Sequence, residues 1–392
     1  MDRAEPDSRL SRRSFVVLWL TVCVNMVGFG LILPVLPFHA ERFGASAMEV
    51  TMLAAAFSVA QLISAPLLGR LSDRVGRRPV LLLSIAGSCV SMALLGGADS
   101  LALLFVARLI SGACAANVPI AQAYVAARVG PEQRAAAMGR IGAAIGVGLV
   151  LGPAVGGLLS IPALPSLPFI VAAILAGINW VLAWLWLPAL GVNKPPAASP
   201  ASKRPRAPII ALVLINLGLF AAFAAMESTF ALLVEARFGW GAGETGLVLA
   251  LVGVVVVLSQ AVVVGRVVAR LGELTTMRLG LVALGLGLAL IGLARTWVGL
   301  SLGACIVAFG NGLGLPALQA MISRQSDPGR RGADFGLATA AASLARILGP
   351  LGAGLAFERL GPGWPSLLGA VVALGIALAT IHAALRPVDR AR

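Results

Sequence analysis

GRLSDRVG at residues 69–76 and GRVVARLG at residues 265–272 are two versions of one segment, placed half a chain apart. Each version follows an apolar stretch and begins with glycine and arginine. Gly152-Pro153 likewise returns as Gly349-Pro350. Repeated sets of membrane helices are typical of transporters that bind their substrate between two lobes, so this repeat predicts a chain built from two similar halves.

The composition excludes a soluble globular protein, because 59% of the residues are hydrophobic, 12% are charged and the mean hydropathy is +0.96. With about 20 apolar residues required per membrane helix, the sequence predicts an all-α polytopic membrane protein with twelve transmembrane helices in two pseudo-symmetric six-helix lobes. The predicted spans lie near residues 14–37, 49–69, 79–97, 101–125, 136–160, 165–188, 209–234, 244–265, 277–294, 297–322, 334–357 and 364–385.

The basic residues predict the orientation of these spans. Most arginines and lysines lie in the two tails and in the loops after even-numbered spans, whereas the opposite loops hold only Arg42, Arg237, Arg295 and Arg359. Because basic loops stay in the cytoplasm, we expect a multi-pass protein of the cell inner membrane with both termini cytoplasmic. The net charge of +14 then reflects orientation, so we expect the lipid bilayer and not nucleic acid as its partner.

A segment rich in proline and alanine, GVNKPPAASPASKRPRAP at residues 191–208, has the composition of a solvated linker. It predicts an N-terminal six-helix lobe at residues 1–190, a cytoplasmic linker at 191–208 and a C-terminal six-helix lobe at 209–392. We expect the chain to act as a monomer. The four cysteines lack the clustered spacing of a metal site, and neither a metal nor a cofactor is expected.

Several motifs resemble those of one family. GRLSDRVGRR (69–78) resembles the loop between the second and third spans of the major facilitator superfamily, and GLVLGPAVGG (148–157) resembles the fifth-span motif of its antiporters. GFGLILPVLP (28–37), RLISG (108–112) and LPALQ (315–319) are similar to segments of bacterial tetracycline efflux proteins, in the drug:proton antiporter branch. The resemblance implies the major facilitator fold and proton-coupled efflux of a small, amphipathic, drug-like organic compound by alternating access.

The resemblance also implies conformational roles for two groups of residues. The loop motif would latch the cytoplasmic side in one state, and the glycines and proline of the fifth span would permit close packing or bending. The plainer alternatives are a loop that only sets orientation and ordinary small-residue packing. The residues are Gly69, Asp73, Arg74, Arg77 and Arg78 in the loop and Gly148, Gly152, Pro153 and Gly156 in the span.

Glu227 is the acidic residue that lies deep inside an apolar stretch, and Arg108 and Arg346 are the basic residues inside spans. Charges in hydrocarbon are costly, so such residues indicate binding or titration. Glu227 is therefore the predicted proton-coupling residue and could face Arg108 across a central cavity, with Asp73 and Asp334 as weaker candidates near the cytoplasmic face. The alternative is a fixed structural ion pair between Glu227 and one of the arginines.

Polar and aromatic residues on the spans that the resemblance places around the cavity are the candidate substrate contacts. Rings and a carboxylate on one face of span seven could hold an amphipathic, partly cationic ligand. Each polar group could instead bridge two helices, which is common in membranes. The candidates are Asn25, Arg108, Gln122, Phe223, Glu227, Phe230, Asn311, Gln319 and Arg346.

Three positions depart from the tetracycline exporters. Asn25, Ser91 and Leu284 stand where those proteins have membrane-embedded aspartates, which puts tetracycline and recognition of its metal chelate in question. Two other functions stay open: transport of an anionic solute or lipid by Arg108 and Arg346, and a membrane receptor or scaffold that does not transport. The chain is not expected to be an enzyme, because the spans hold no nucleophile with a base and an orienting acid.

Overall fold

The computed structural model describes residues 12–129, 131–188, 207–327 and 331–382, most of which are helical. Most of the predicted linker at 191–208 lies outside the described residues. The helices are α1 (Arg12–Glu41), α2 (Ala47–Val75), α3 (Arg77–Gly96), α4 (Leu101–Ala113), α5 (Asn117–Arg128), α6 (Pro131–Leu159), α7 (Leu167–Trp186), α8 (Ala207–Phe238), α9 (Ala242–Leu258), a π-helical turn (Ser259–Val263), α10 (Val264–Leu293), α11 (Trp297–Gln325), α12 (Arg331–Leu360) and α13 (Trp364–His382).

These helices make twelve membrane spans, as the sequence predicts. The fourth span consists of α4 and α5 together. The continuous helical range Ala242–Leu293 has 52 residues, which at ~1.5 Å per residue is more than twice the ~30 Å of the hydrocarbon core. It is two spans, because Gly272 has φ 78° and ψ 168° and interrupts α10.

Short loops with well-formed helix ends connect the spans. Before α2, the Ser46 Oγ accepts a hydrogen bond from the backbone N–H of Glu49, and the Ser46 N–H donates to Glu49 Oε2 at 2.8 Å. Between α2 and α3, Gly76 has φ 95°, a conformation that side chains disfavour. Such turns reverse the chain without long loops, so the site must be built from the spans themselves.

Each lobe packs around its own apolar core. In the first lobe α1 packs on α6 and α7, and α3 packs on α7; in the second lobe α8 packs on α12 and α13, and α10 packs on α11. One buried cluster joins the lobes, since Leu232 and Ala242 from the second lobe pack with Leu36 and Ala40 from the first. The core is thus divided between two six-helix units that touch along a seam.

The seam is closed at one end and open at the other. We call the end that carries residues 70–78, where α2 ends and α3 begins, the arginine-rich end, and the other the opposite end. Near the opposite end, a Cβ on Gly157 of α6 would lie 2.9 Å from the carbonyl oxygen of Ala242 and from that of Gly243. Toward the arginine-rich end, Gly142 and Gly265 have no atom within 4 Å of a Cβ position. Among the described residues, the lobes separate toward the arginine-rich end.

Two irregularities were not predicted from the sequence. The fourth span, expected as one helix, breaks between α4 and α5, where Gly112 packs against the backbone of Phe57 and Cys114 packs against Gly87. The eighth span contains a π-helical turn, where Ser259 Oγ donates a hydrogen bond to the carbonyl of Val255 at 2.6 Å. The break between α4 and α5 lies at contacts with other helices, and π-helical turns often lie at functional sites.

Candidate substrate cavity

A cavity of about 310 Å³ lies within the first lobe and reaches the second lobe at Arg346. This volume is at the lower end of the ~300–1,000 Å³ of small-molecule sites. Its wall combines apolar side chains with amides, hydroxyls and two guanidinium groups. The polar, aromatic and methionine residues of the wall are Thr21, Asn25, Met26, Phe29, Phe57, Gln61, Ser88, Met92, Arg108, Ser111, Asn117, Asn179 and Arg346.

Arg108 lies in α4 at the cavity wall and is 4% exposed. Its Nε donates a hydrogen bond to the carbonyl of Leu53 at 3.2 Å. Its guanidinium carbon lies 4.6 Å from the ring centroid of Phe57, a cation–π contact. Its Nη1 has no hydrogen-bond partner among the described residues. One face of the guanidinium group is thus fixed on α2, and part of its bonding capacity is unused.

Arg346 lies in α12 and is the residue through which the second lobe reaches the cavity. Its guanidinium carbon lies 5.6 Å from the ring centroid of Phe220, and its Nε has no hydrogen-bond partner among the described residues. Arg346 and Glu227 of α8 interact electrostatically, but the contacts of the described residues include no direct ion pair between them. The structure therefore brings Glu227 close to Arg346, and it places Arg108 in the wall of the same cavity.

Glu227 is half-buried and does not itself line the cavity, within the part of the chain that the structure describes. Arg346 connects Glu227 with the cavity, since it lines the cavity wall and also interacts electrostatically with Glu227. A change in the charge of Glu227 would consequently alter the electrostatic environment of the cavity through Arg346.

A line of polar groups follows α1 and its neighbours. Asn25 lies at the wall, and Thr21, one turn earlier, donates to Asn179 Oδ1 of α7 at 3.2 Å. Asn117, at the start of α5, donates through Nδ2 to Ser88 Oγ at 3.1 Å. These bonds fix several of the polar side chains that face the cavity.

The structure separates the other candidate contacts from this wall. Phe230 is 2% exposed and belongs to the apolar core of the second lobe. Gln122, Phe223 and Asn311 are half-buried and Gln319 is exposed, and none is among the cavity residues. They remain predictions for another state of the molecule or for a wider site.

The conformational motifs occupy two different settings. Asp73 and Arg74 are exposed at the arginine-rich end. Arg77 donates to the carbonyl of Ala123 at 2.6 Å and Arg78 to that of Trp184 at 2.5 Å, so both arginines bond within the first lobe.

The fifth-span glycines lie along α1, where side chains would not fit. A Cβ on Gly152 would lie 2.7 Å from the carbonyl oxygen of Val27, and one on Gly156 would lie 3.0 Å from that of Leu31. The next residue, Gly157, instead faces α9 of the second lobe. α6 is therefore packed between a helix of its own lobe and a helix of the other.

Sequence reasoning missed several residues of the wall. Gln61, Asn117 and Asn179 look like ordinary interhelical polar residues, and Phe29 and Phe57 look like apolar filling. The available signal was the set of amides on spans two, four and six, but their rotation toward the cavity depends on helix packing that the sequence does not show.

Comparison with known proteins agrees with this architecture. The model of the Major Facilitator Superfamily matches residues 18–260 and 212–392. The class D tetracycline resistance protein of Salmonella ordonez is 34% identical over 87% of this chain and 89% of its own length. Multidrug resistance protein 1 of Bacillus subtilis (strain 168) is 30% identical over 62% of this chain and 64% of its own.

A solved structure shows the same arrangement of helices. The human organic anion transporter MFSD10 (TETRAN) superimposes with a TM-score of 0.71 at 25% identity, over 96% of this chain and 100% of that chain. The family match, the twelve spans and the two lobes identify a multi-pass membrane transporter and not an enzyme. The chain belongs to the Major Facilitator Superfamily.

Proposed function

We propose that this transporter exports a small amphipathic organic compound in exchange for protons, by alternating access, as a monomer in the cell inner membrane. The observation that carries the proposal is a small-molecule cavity that lies in the first lobe and reaches the second at Arg346, in a molecule whose lobes are in contact at one end and apart at the other. The relatives named for tetracycline resistance and multidrug resistance support export of organic compounds.

The orientation follows from charge. The arginine-rich end carries Arg70, Arg74, Arg77 and Arg78 in the first lobe, and basic loops stay cytoplasmic. This end is also where the lobes separate, so the cavity faces the cytoplasm in this conformation. A compound would therefore enter from the side from which an exporter takes its substrate.

Glu227 supplies the group that a proton can occupy. When it is ionised, it attracts Arg346; when it is protonated, that attraction is lost. Because Arg346 belongs to both environments, proton binding and substrate binding influence each other without direct contact. A carboxyl group that changes charge beside a shared cation is the minimum that an exchanger needs.

The seam between α6 and α9 supplies the moving part. Small residues let the two helices meet closely at the opposite end, and the lobes can rock about this region. When the arginine-rich end closes, Asp73 and Arg74 would reach the second lobe and form the latch, consistent with their exposure in this conformation.

Proteoliposomes containing a trapped pH-sensitive dye test the proposal. We expect at least one member of a panel of tetracycline, ethidium and 2-naphthoate to evoke a proton flux, and we expect Glu227→Gln to abolish that flux while the protein stays folded. Gln keeps the shape of the side chain but cannot change its charge.

The matched control is Glu273→Gln. Glu273 forms an ion pair with the exposed Arg324 at 2.8 Å and is not among the cavity residues. It should transport at the wild-type rate. A Glu227→Gln variant with normal substrate-evoked proton flux would show that the coupling lies elsewhere and would overturn this assignment.

A further inference from the structure

The cavity has an imbalance of charge. Its wall contains two guanidinium groups, and neither forms an ion pair with a carboxylate among the described residues. Glu227 acts on Arg346 electrostatically from outside the wall. Buried cations are usually paired or fully hydrogen-bonded, because an unpaired charge in a low-dielectric region is costly.

Arg108 shows this most clearly. Its side chain is only 4% exposed, yet its Nη1 donates a hydrogen bond to no described group. Its Nε bond to Leu53 and its contact with the ring of Phe57 hold the group in a fixed orientation at the wall. A fixed guanidinium group with unused N–H donors is suited to an anion, which it can bind by charge-assisted hydrogen bonds.

Arg346 provides the same chemistry from the other lobe. Its Nε is buried without a partner, and the ring of Phe220 supports its guanidinium group at 5.6 Å. The two arginines thus approach one cavity from α4 of the first lobe and α12 of the second.

We infer that Arg108 and Arg346 form an anion-binding subsite, and that the transported compound carries a carboxylate, sulfonate or phosphate group on an apolar, ring-containing body. The inference deepens the proposed function and rests on it, because it assumes that this cavity is the transport site. The inference narrows the expected class of substrate from amphipathic compounds in general to amphipathic anions.

The rest of the wall fits the apolar body. The rings of Phe29 and Phe57 have centroids 6.4 Å apart, and Met92 lies in the same wall. Since Phe57 also supports Arg108, the anionic group and the rings are placed side by side. A ligand that is apolar at one end and anionic at the other matches this order of contacts.

Binding of an anion would also join the lobes. An anionic group that contacts both arginines links α4 to α12. Loss of either arginine should therefore remove the preference for the anion, while the contact with the rings is kept.

Three probes with one aromatic body test the inference: 2-naphthoate, 2-naphthamide and 2-naphthylmethylammonium. Binding is measured by titration calorimetry on the full chain in phosphatidylcholine nanodiscs, without any gradient. We expect 2-naphthoate to bind at least ~10-fold more tightly than the amide, and the ammonium compound to bind most weakly. Tightest binding of the ammonium compound would overturn the inference.

Arg108→Gln and Arg346→Gln should each weaken 2-naphthoate at least ~10-fold and change 2-naphthamide less than ~3-fold. If Arg108→Gln does not fold, Arg346→Gln decides, because Arg346 is only half-buried. The matched control is Arg140→Gln, since Arg140 also stacks on a ring, Phe15 at 5.9 Å, but is exposed and outside the cavity. A carboxylate preference that survives in both variants would overturn the inference.

A lipid headgroup could supply the same anion. In nanodiscs with phosphatidylglycerol, an unchanged 2-naphthoate affinity supports a free solute, and a loss of ~10-fold or more would assign the subsite to lipid and overturn the inference.

The proposed function and the anion subsite can fail separately. Carboxylate-selective binding without proton-coupled flux would sink only the proposed function, and flux of a cation without carboxylate selectivity would sink only the anion subsite.

Discussion

The two ends of the seam between α6 and α9 differ in how closely the lobes approach. At the opposite end the backbone of Gly157 lies against that of Gly246, and a Cβ on Gly157 would lie 3.2 Å from the Gly246 Cα. At the arginine-rich end Gly142, one turn before Gly146 on the same face, meets open space. Glycine is thus required for contact at one end in this state. At the other end, if the cavity reverses as proposed, we expect the open space at Gly142 to be filled by a contact with the other lobe.

The largest effect is expected from Gly157→Leu. A Cβ alone would lie 2.9 Å from two backbone carbonyl oxygens of α9, so a leucine prevents the opposite end from closing. We expect transport to fall at least ~10-fold, since alternating access requires both closed states. In a background whose four native cysteines are replaced by serine, labelling of Thr51→Cys, a position buried against Gly354 of the other lobe, should rise with an impermeant maleimide.

Gly142→Leu gives the mirror image of this experiment. The leucine side chain fits the present conformation, but it fills the space that the lobes need in order to close at the arginine-rich end. Transport should therefore fall, while labelling at Thr51→Cys stays low. Wild-type transport and labelling in Gly157→Leu would mean that the closed seam has no part in the cycle.

A smaller effect, on stability and not on the balance of states, is expected from Gly152→Ala. Its Cβ would lie 2.7 Å from the carbonyl oxygen of Val27 and 2.8 Å from the Cα of Gly30, both in α1 of the same lobe. The variant should lose ~1–3 kcal/mol of stability, seen as a lower apparent melting temperature, with unchanged labelling at Thr51→Cys. Gly139→Ala on the same helix meets open space and should melt no lower than wild type.

The sequence predicted the features that depend on length and composition. Twelve apolar stretches gave twelve spans, because a helix that crosses a bilayer must bond its backbone internally and be apolar along its length. Arg108, Arg346 and Glu227 stood out for the same reason, since a charge within such a stretch is rare. The structure shows both arginines at one cavity.

The composition of the wall could not be predicted because rotation about a helix axis is not visible in a helix that is apolar on all sides. Asn216 shares its helix with Glu227, but it donates to the carbonyl of Ala338 at 2.8 Å and is a structural link. Asn117 and Asn179 reach the cavity instead. Amides in these two roles look the same in sequence, and only the packing of neighbouring helices separates them.

The smallest effect concerns charges at the arginine-rich end. Arg324 Nε lies 2.8 Å from Glu273 Oε1, and both residues belong to the second lobe; the Glu273 side chain is 14% exposed, but that of Arg324 is 65% exposed. Ion pairs with an exposed partner contribute ~0–1 kcal/mol because water and salt screen them, so Glu273→Gln should change the free energy of unfolding by less than ~1 kcal/mol. A double-mutant cycle with Arg324→Gln measures the coupling, which should fall further at high salt. A larger coupling would indicate that charge pairs within one lobe stiffen the open end, whereas the expected small value leaves that end free to close when Asp73 meets the second lobe.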